Sequence, residues 1–181
     1  MAIEPWQLVD SQIVFDHRWY RLRQDTVRLP DGRIIDDYFV SVRPDIVVVF
    51  ALTDDNRVPF VRQFRQGLGE VTLELPAGFI TTEPPEVGAE RELLEETGYR
   101  CASLRQTAAV ASDASRHTNR IYTFLGTGAV PIAAQDLDET EGSAGVEVEL
   151  IARERILSLV RAGEIVAMSS LVAIYRAFDE L

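Results

Sequence analysis

Residues 71–99 read V-T-L-E-L-P-A-G-F-I-T-T-E-P-P-E-V-G-A-E-R-E-L-L-E-E-T-G-Y. Val71–Leu75 has the composition of a short strand, and Pro76 ends it. The periodicity then changes: Glu86–Thr97 is the clearest helix of the chain, with Gly98 as its C′ residue. At 100° per residue, Val87, Ala89, Leu93, Leu94 and Thr97 share a broad side that is expected to pack on a sheet. Glu92, Glu95 and Glu96 gather on the other side, and Glu90 falls within the apolar arc as an exception. Glu92 and Glu96 stand one turn apart, a like-charge spacing that costs roughly 0.3 kcal/mol, and Arg91 four residues before Glu95 offsets part of it.

On either side of this stretch the chain reads mostly as strands. Trp6–Phe15 and Trp19–Leu29 are rich in branched and aromatic residues, Pro30-Asp31-Gly32 signals a turn, and Arg33–Val42 returns as a hairpin partner. Ile46–Leu52 is an apolar run suited to a strand covered on both faces. Asp54-Asp55-Asn56 is a turn, with Val58–Phe64 expected as the hairpin partner of that run. Tyr99–Ala111, Arg120–Leu125 and Val146–Ile151 read as further strands, Gln135–Gly145 as an acidic loop, and Glu154–Ala162 and Met168–Leu181 as C-terminal helices. The expected fold class is α+β, strands and helices layered as an α/β/α sandwich on a mixed sheet, with an antiparallel N-terminal β subdomain. Pro44 marks the division into residues 1–43 and 44–181.

Composition narrows the chemistry. The 181 residues carry a formal net charge of −11, and all 18 basic residues are arginine. With no lysine, Schiff-base chemistry and the P-loop lysine are excluded. One cysteine, Cys101, rules out an internal disulfide and a cysteine-cluster zinc site, and two histidines rule out a three-histidine metal site. A chain this acidic lacks the basic footprint of a general nucleic-acid binder, so no nucleic-acid partner is expected. No apolar run approaches the ~20 residues of a membrane span. The opening residues do not read as a secretory signal, so a cytoplasmic location is expected.

Residues 91–99, R-E-L-L-E-E-T-G-Y, with Glu83 eight residues before Arg91 and L-E-L-P-A-G at 73–78, resemble the signature of the Nudix hydrolases, G-x5-E-x7-R-E-U-x-E-E-x-G-U with U aliphatic. The match differs in two places. Four residues rather than five separate Gly78 from Glu83, and Tyr99 stands where an aliphatic residue is usual. The resemblance implies hydrolysis of a diphosphate, an unreactive anion whose charge must be neutralised while water is activated. Magnesium, with manganese able to substitute, takes oxygen ligands and keeps waters, which suits that task. The implied ligands are Glu92, Glu96 and Glu95 with the Ala77 carbonyl. Glu96, Glu95 and Arg91 are the implied catalytic group, Arg91 orienting the acids by ion pairing.

The stretch V-R-Q-F-R-Q-G at 61–67 followed by L-E-L-P-A-G is similar to the ADP-ribose and nucleoside-diphosphate-sugar pyrophosphatase group. That similarity makes Arg65, and after it Arg62, the candidate for the diphosphate, because a guanidinium fork can donate two parallel hydrogen bonds. It implies an acid on the loop after the helix, Glu141 first and Glu139 second, to orient or deprotonate water. It also implies a homodimer whose N-terminal sheet helps build the base pocket, with Trp19, Tyr20, Tyr38 and Phe39 as stacking candidates. The Ser-Pro-Gly-like stretch of many ADP-ribose enzymes is replaced here by Ser112–Arg120, which contains no proline. Arg116 and Arg120 there are candidates for phosphate or sugar, and His117 reads as a loop hydrogen-bonding residue. The expected reaction is magnesium-dependent cleavage of a nucleoside diphosphate sugar such as ADP-ribose into a nucleoside monophosphate and a sugar phosphate. The alternatives are a ligand sensor of the same fold without catalysis, which the intact R-E-x-x-E-E disfavours, and a housecleaning hydrolase of other nucleotides.

Overall fold

The computed structural model describes residues 3–137 and 145–181, so Glu139 and Glu141 lie outside the described residues. The chain divides into two units, one of residues up to Pro44 together with Ala111–Arg120, the other of Asp45–Val110 and Ile121–Leu181.

The first unit is a three-stranded antiparallel sheet of β1 (Gln7–His17), β2 (Tyr20–Arg28) and β3 (Ile34–Val42), in that order. Its β2–β3 hairpin turns where Pro30-Asp31-Gly32 predicts. Gly32 adopts φ 87°, and Leu29 N–H donates to the Arg33 carbonyl at 2.8 Å. Every residue of β1 is exposed, including Leu8, Val9, Ile13, Val14 and Phe15. Asp25 on β2 is buried and receives both the Ser11 hydroxyl and the Arg23 guanidinium. Residues 111–120 are stitched to β3. Ser41 N–H donates to the Arg116 carbonyl, and Thr118 N–H to the Ser41 carbonyl, at 2.7 and 3.1 Å.

The second unit is built around β4 (Asp45–Leu52), whose alternation serves two cores. Val47, Val49 and Ala51 pack with Ala89 and Leu93 of helix α1 (Pro85–Thr97). Val48 and Phe50 face the opposite way, into Val58 and Phe60 of β5 (Arg57–Arg65) and Leu73 of β6 (Glu70–Glu74). Ile156 of α2 (Arg153–Ala162) and Ile174 of α3 (Met168–Glu180) join that second core. In its own sheet β4 pairs antiparallel with β7 (Ala77–Ile80) and parallel with β10 (Arg120–Thr127), beyond which lies β9 (Ser103–Ala111). A second antiparallel sheet has the order β12-β5-β6, with β12 spanning Glu147–Ala152. The run Val47–Ala51 is fully buried, as a strand covered on both faces requires. The layered mixed sheet with helices is the expected fold class. Among the described residues no helix is long and apolar enough to cross a membrane.

Three local expectations are corrected. β4 and β5 do not form a hairpin. Their turn is closed by Thr53 N–H to the Arg57 carbonyl at 2.9 Å, but the strands then separate into different sheets. Both carry inward apolar residues, and stacking face to face buries Phe50 and Phe60 in one core, which edge pairing alone would not. The single strand expected over Tyr99–Ala111 breaks at Cys101-Ala102. Its first piece, β8 (Tyr99–Arg100), pairs instead with β11 (Val130–Pro131). Helix α1 buries a different arc from the one hydropathy selects: Gly88, Ala89, Glu92, Leu93, Glu96 and Thr97 are buried, while Val87 and Glu90 are exposed. The exposure of Glu90 removes the anomaly of an acid inside the apolar arc.

Candidate active site

Helix α1 starts with Pro85 in its first turn, where a missing N–H costs nothing. It ends at Gly98, whose φ of 73° lets its N–H reach the Leu94 carbonyl at 2.8 Å. Between these ends the acids lie against the strand that precedes the helix, and that strand is pinned residue by residue. Leu75 N–H donates to the buried Ser170 hydroxyl at 3.0 Å, and the Pro76 carbonyl accepts Val49 N–H at 3.0 Å. Ala77 N–H donates to Glu96 Oε2 at 2.8 Å. Gly78 follows, and a Cβ there would lie 2.0 Å from Glu92 Cδ. Its bare backbone is the space the Glu92 carboxylate occupies. These two features explain the rotation of the helix, since Glu96, 2% exposed, finds a backbone donor and Glu92, 9% exposed, finds room.

Arg91 organises the remaining acids. Its Nη1 donates to Glu92 Oε1 and to Glu95 Oε2, at 2.8 Å each. Its Nη2 donates to Glu83 Oε1 at 2.6 Å and to the Phe79 carbonyl at 3.1 Å. The bond that Arg91 donates to Glu83 foremost, with those to Glu95 and Glu92 adding to it against the cost of burial, holds the guanidinium proton more firmly than usual. In return Arg91 holds the Glu83 carboxyl below the ordinary carboxylate range. The loop one residue shorter than the family pattern still brings Glu83 to Arg91.

Among the described residues no three carboxylate, histidine or cysteine groups converge to hold one ion. The donor set nevertheless fits a hard divalent cation. Glu92 and Glu95 already meet on one positive point, Arg91 Nη1, and Glu96 adds a buried carboxylate one turn beyond Glu92. Glu92, Glu95 and Glu96, with the Ala77 carbonyl, are the groups that would hold it.

Two further partners fix the far end of the helix. Asp136 N–H donates to the Glu95 carbonyl at 2.9 Å. The Gln135 amide donates to the Glu96 carbonyl at 2.6 Å and to the Val146 carbonyl at 3.3 Å. Nothing in the local sequence pattern singles out Gln135.

The candidate arginines of the second unit are both paired. Arg62 donates twice to Glu149 Oε2, at 3.1 and 2.7 Å. Arg65 donates through Nε and Nη2 to the two oxygens of Glu74, at 2.9 and 2.7 Å. Trp19, Tyr20, Arg116 and Arg120 belong to the first unit. There Trp19 is exposed on the β1–β2 turn under the Arg18 guanidinium, and Tyr20 OH hydrogen-bonds Ser41 Oγ at 2.7 Å. Arg116 lies over the Tyr38 ring, 4.5 Å from its centroid, and donates to the Phe39 carbonyl. Arg120 is exposed at the start of β10. His117 Nδ1 meets Ser112 Oγ at 2.9 Å, a loop contact as its sequence context predicts.

Strand β4 sandwiched between layers, and a helix whose acids face a glycine-bearing strand, are the frame of a known hydrolase class. Residues 42–162 match the NUDIX domain, and residues 6–41 match the nucleoside diphosphate sugar hydrolase N-terminal domain. The chain belongs to the NUDIX family and is a Nudix hydrolase. An ADP-ribose pyrophosphatase of Bacillus subtilis is 32% identical over 159 residues, covering 87% of this chain and 84% of that one. A methanol dehydrogenase activator of Bacillus methanolicus is 31% identical over 140 residues, covering 77% and 71%. Among solved structures, an ADP compounds hydrolase superposes with a TM-score of 0.87 over 100% of this chain and 96% of that one. At 17% sequence identity that likeness speaks for the fold.

Proposed function

We propose that this chain hydrolyses the diphosphate linkage of a nucleoside diphosphate sugar such as ADP-ribose, giving a nucleoside monophosphate and a sugar phosphate, with magnesium as the cofactor. The observation that carries the reading is the acidic stripe of α1 buried against β7, with Glu96 received by Ala77 N–H and Glu92 lodged over Gly78. Burying like charges one turn apart opposes folding, so the arrangement has its use in what the acids bind. The ADP-ribose pyrophosphatase relative and the match of residues 6–41 support the substrate class.

In this reading Glu92, Glu95 and Glu96, with the Ala77 carbonyl, hold the metal. Bound magnesium neutralises diphosphate charge and lowers the pKa of coordinated water. Arg91 keeps the Glu92 and Glu95 carboxylates aimed at one point. Arg65, or after it Arg62, binds the diphosphate. Glu141 or Glu139 takes the proton from the attacking water. Trp19 and Tyr20 stack on the base, and Arg116 and Arg120 contact phosphate or sugar. The protein acts as a cytoplasmic homodimer, joined through the N-terminal sheet whose first strand carries exposed apolar residues. Glu96→Gln tests the core of this. The amide oxygen can still accept Ala77 N–H, so the melting temperature holds while turnover of ADP-ribose with magnesium disappears. Undiminished turnover refutes the metal-site reading.

A further inference from the structure

Strands β6 and β7 run on from one another through Leu75 and Pro76, and their side chains divide between two sides. Leu73, Leu75 and Ala77 pack into the core that holds Phe50 and Phe60. Thr72, Glu74 and Gly78 alternate with them and turn the other way, and on that side the Glu92 carboxylate of α1 lies over Gly78. Register carries the division across to β5. Val61 stands opposite Glu74 and Gln63 opposite Thr72, and residues directly opposite each other share a face. Gln63 therefore belongs to the side on which the acids lie. Helix α1 lies against β5 as well as against β4 and β7.

Gln63 is 7% exposed. Every other buried polar side chain among the described residues makes a hydrogen bond. Thr72, its neighbour across the ladder, gives its hydroxyl to Glu74 at 2.6 Å. The Gln63 amide makes none among the described residues. Nor is it sealed in. Among the described residues Asn119 Nδ2 alone is a fully enclosed side-chain polar atom without a partner, so the Gln63 amide reaches solvent at its tip while its stem is buried.

Folding gives no reason for an amide here. Methionine has a similar length and would fill the same place with no polar group to satisfy. The amide adds two N–H donors and a carbonyl, all uncharged. A donor without charge suits a place that must receive an anion close to acids that hold a cation. A carboxylate there would repel the anion, and a second positive group would compete for the acids.

We propose that Gln63 is a substrate-binding residue: its amide N–H donates to an oxygen of the diphosphate bound over the acids of α1. This rests on the hydrolase reading above and on no property of the candidate arginines. With neither end of the amide engaged by the fold, the Nε2 end is free to turn toward the ligand.

The experiment is steady-state hydrolysis of ADP-ribose with magnesium by wild type, Gln63→Met, Gln63→Glu and Glu96→Gln, with melting temperatures alongside. Gln63→Met should raise KM about tenfold, the worth of one hydrogen bond to a charged group, and change kcat less than about threefold. Its melting temperature should hold or rise, because no bond within the fold is lost. Gln63→Glu keeps length and shape but replaces the donor with a negative charge. It should raise KM further than methionine does, and added salt should narrow the gap between the two. It also carries the test if the methionine variant folds poorly. Unchanged KM in both variants overturns the proposal and leaves the amide to a bound water. A fall in kcat and melting temperature at constant KM overturns it as well, in favour of a structural role. If wild type turns over ADP-ribose, Glu96→Gln does not, and both Gln63 variants keep the wild-type KM, this proposal falls and the hydrolase reading stands. If Glu96→Gln turns over undiminished, the metal-site reading falls and this proposal with it.

Discussion

Gly78→Ala is the sharpest probe of the acidic stripe, because its clash is aimed at one carboxylate. The added Cβ would lie 2.0 Å from Glu92 Cδ and 2.1 and 2.2 Å from its oxygens. Carbon atoms in ordinary contact sit about 3.5 Å apart, so the carboxyl carbon must retreat by about 1.5 Å. The cost to folding is small, because the clashing atoms are the end of a flexible side chain. The bond from Arg91 Nη1 to Glu92 is lost, about 1 kcal/mol. Gly78 is not among the left-handed positions, so alanine also restricts the unfolded chain, which returns about 0.5 kcal/mol. The cost to function is larger, since a displacement of about 1 Å in a catalytic array lowers turnover about 100-fold, equivalent to about 2.7 kcal/mol. The assay is ADP-ribose turnover against magnesium concentration, read beside a thermal melt. The expected result is a melting temperature near wild type, with turnover reduced about 100-fold and more magnesium needed for half-maximal turnover. Wild-type turnover with wild-type magnesium dependence would refute the assignment of Glu92 to the metal.

Further predictions follow from other contacts. A Cβ on Gly126 would lie 2.3 Å from Cys101 Sγ, so Gly126→Ala should destabilise by about 1–3 kcal/mol, and Cys101→Ala should recover most of it in a denaturant double-mutant cycle. Glu74 has a folded-state pKa below its ordinary 4.5, so its contribution is present above about pH 4.5 and is lost as pH falls through the lower folded value. Acid titration of melting temperature should therefore show a steeper decline for wild type than for Glu74→Gln, and parallel limbs would refute it. Phe15→Asp places a charge on the exposed apolar face of β1, and sedimentation should show a shift from dimer to monomer, whereas an unchanged dimer would exclude that face.

What could be read from the sequence is what neighbouring residues decide. The Pro30-Asp31-Gly32 turn, the Gly98 cap and the double burial of Val47–Ala51 follow from backbone chemistry and hydropathy over a few residues. The parting of β4 from β5 does not, because face-to-face packing of Phe50 and Phe60 is settled by the whole core. The facing of α1 departs from its hydropathy for a specific reason. Hydropathy assigns Glu92 and Glu96 to solvent, while the Ala77 N–H and the missing Gly78 side chain make their burial feasible. The four-residue β7 carries no alternation of its own and takes its place from pairing with β4. The Arg62–Glu149 pair joins residues 87 apart, beyond any local signal.

Gln135 hydrogen-bonds backbone carbonyls on α1 and at Val146, while Asp136 N–H is tied to the Glu95 carbonyl. The side-chain amide of Gln135 thus bridges the last turn of α1 and the approach to β12, so one group ties the acidic helix to the edge of the β12-β5-β6 sheet.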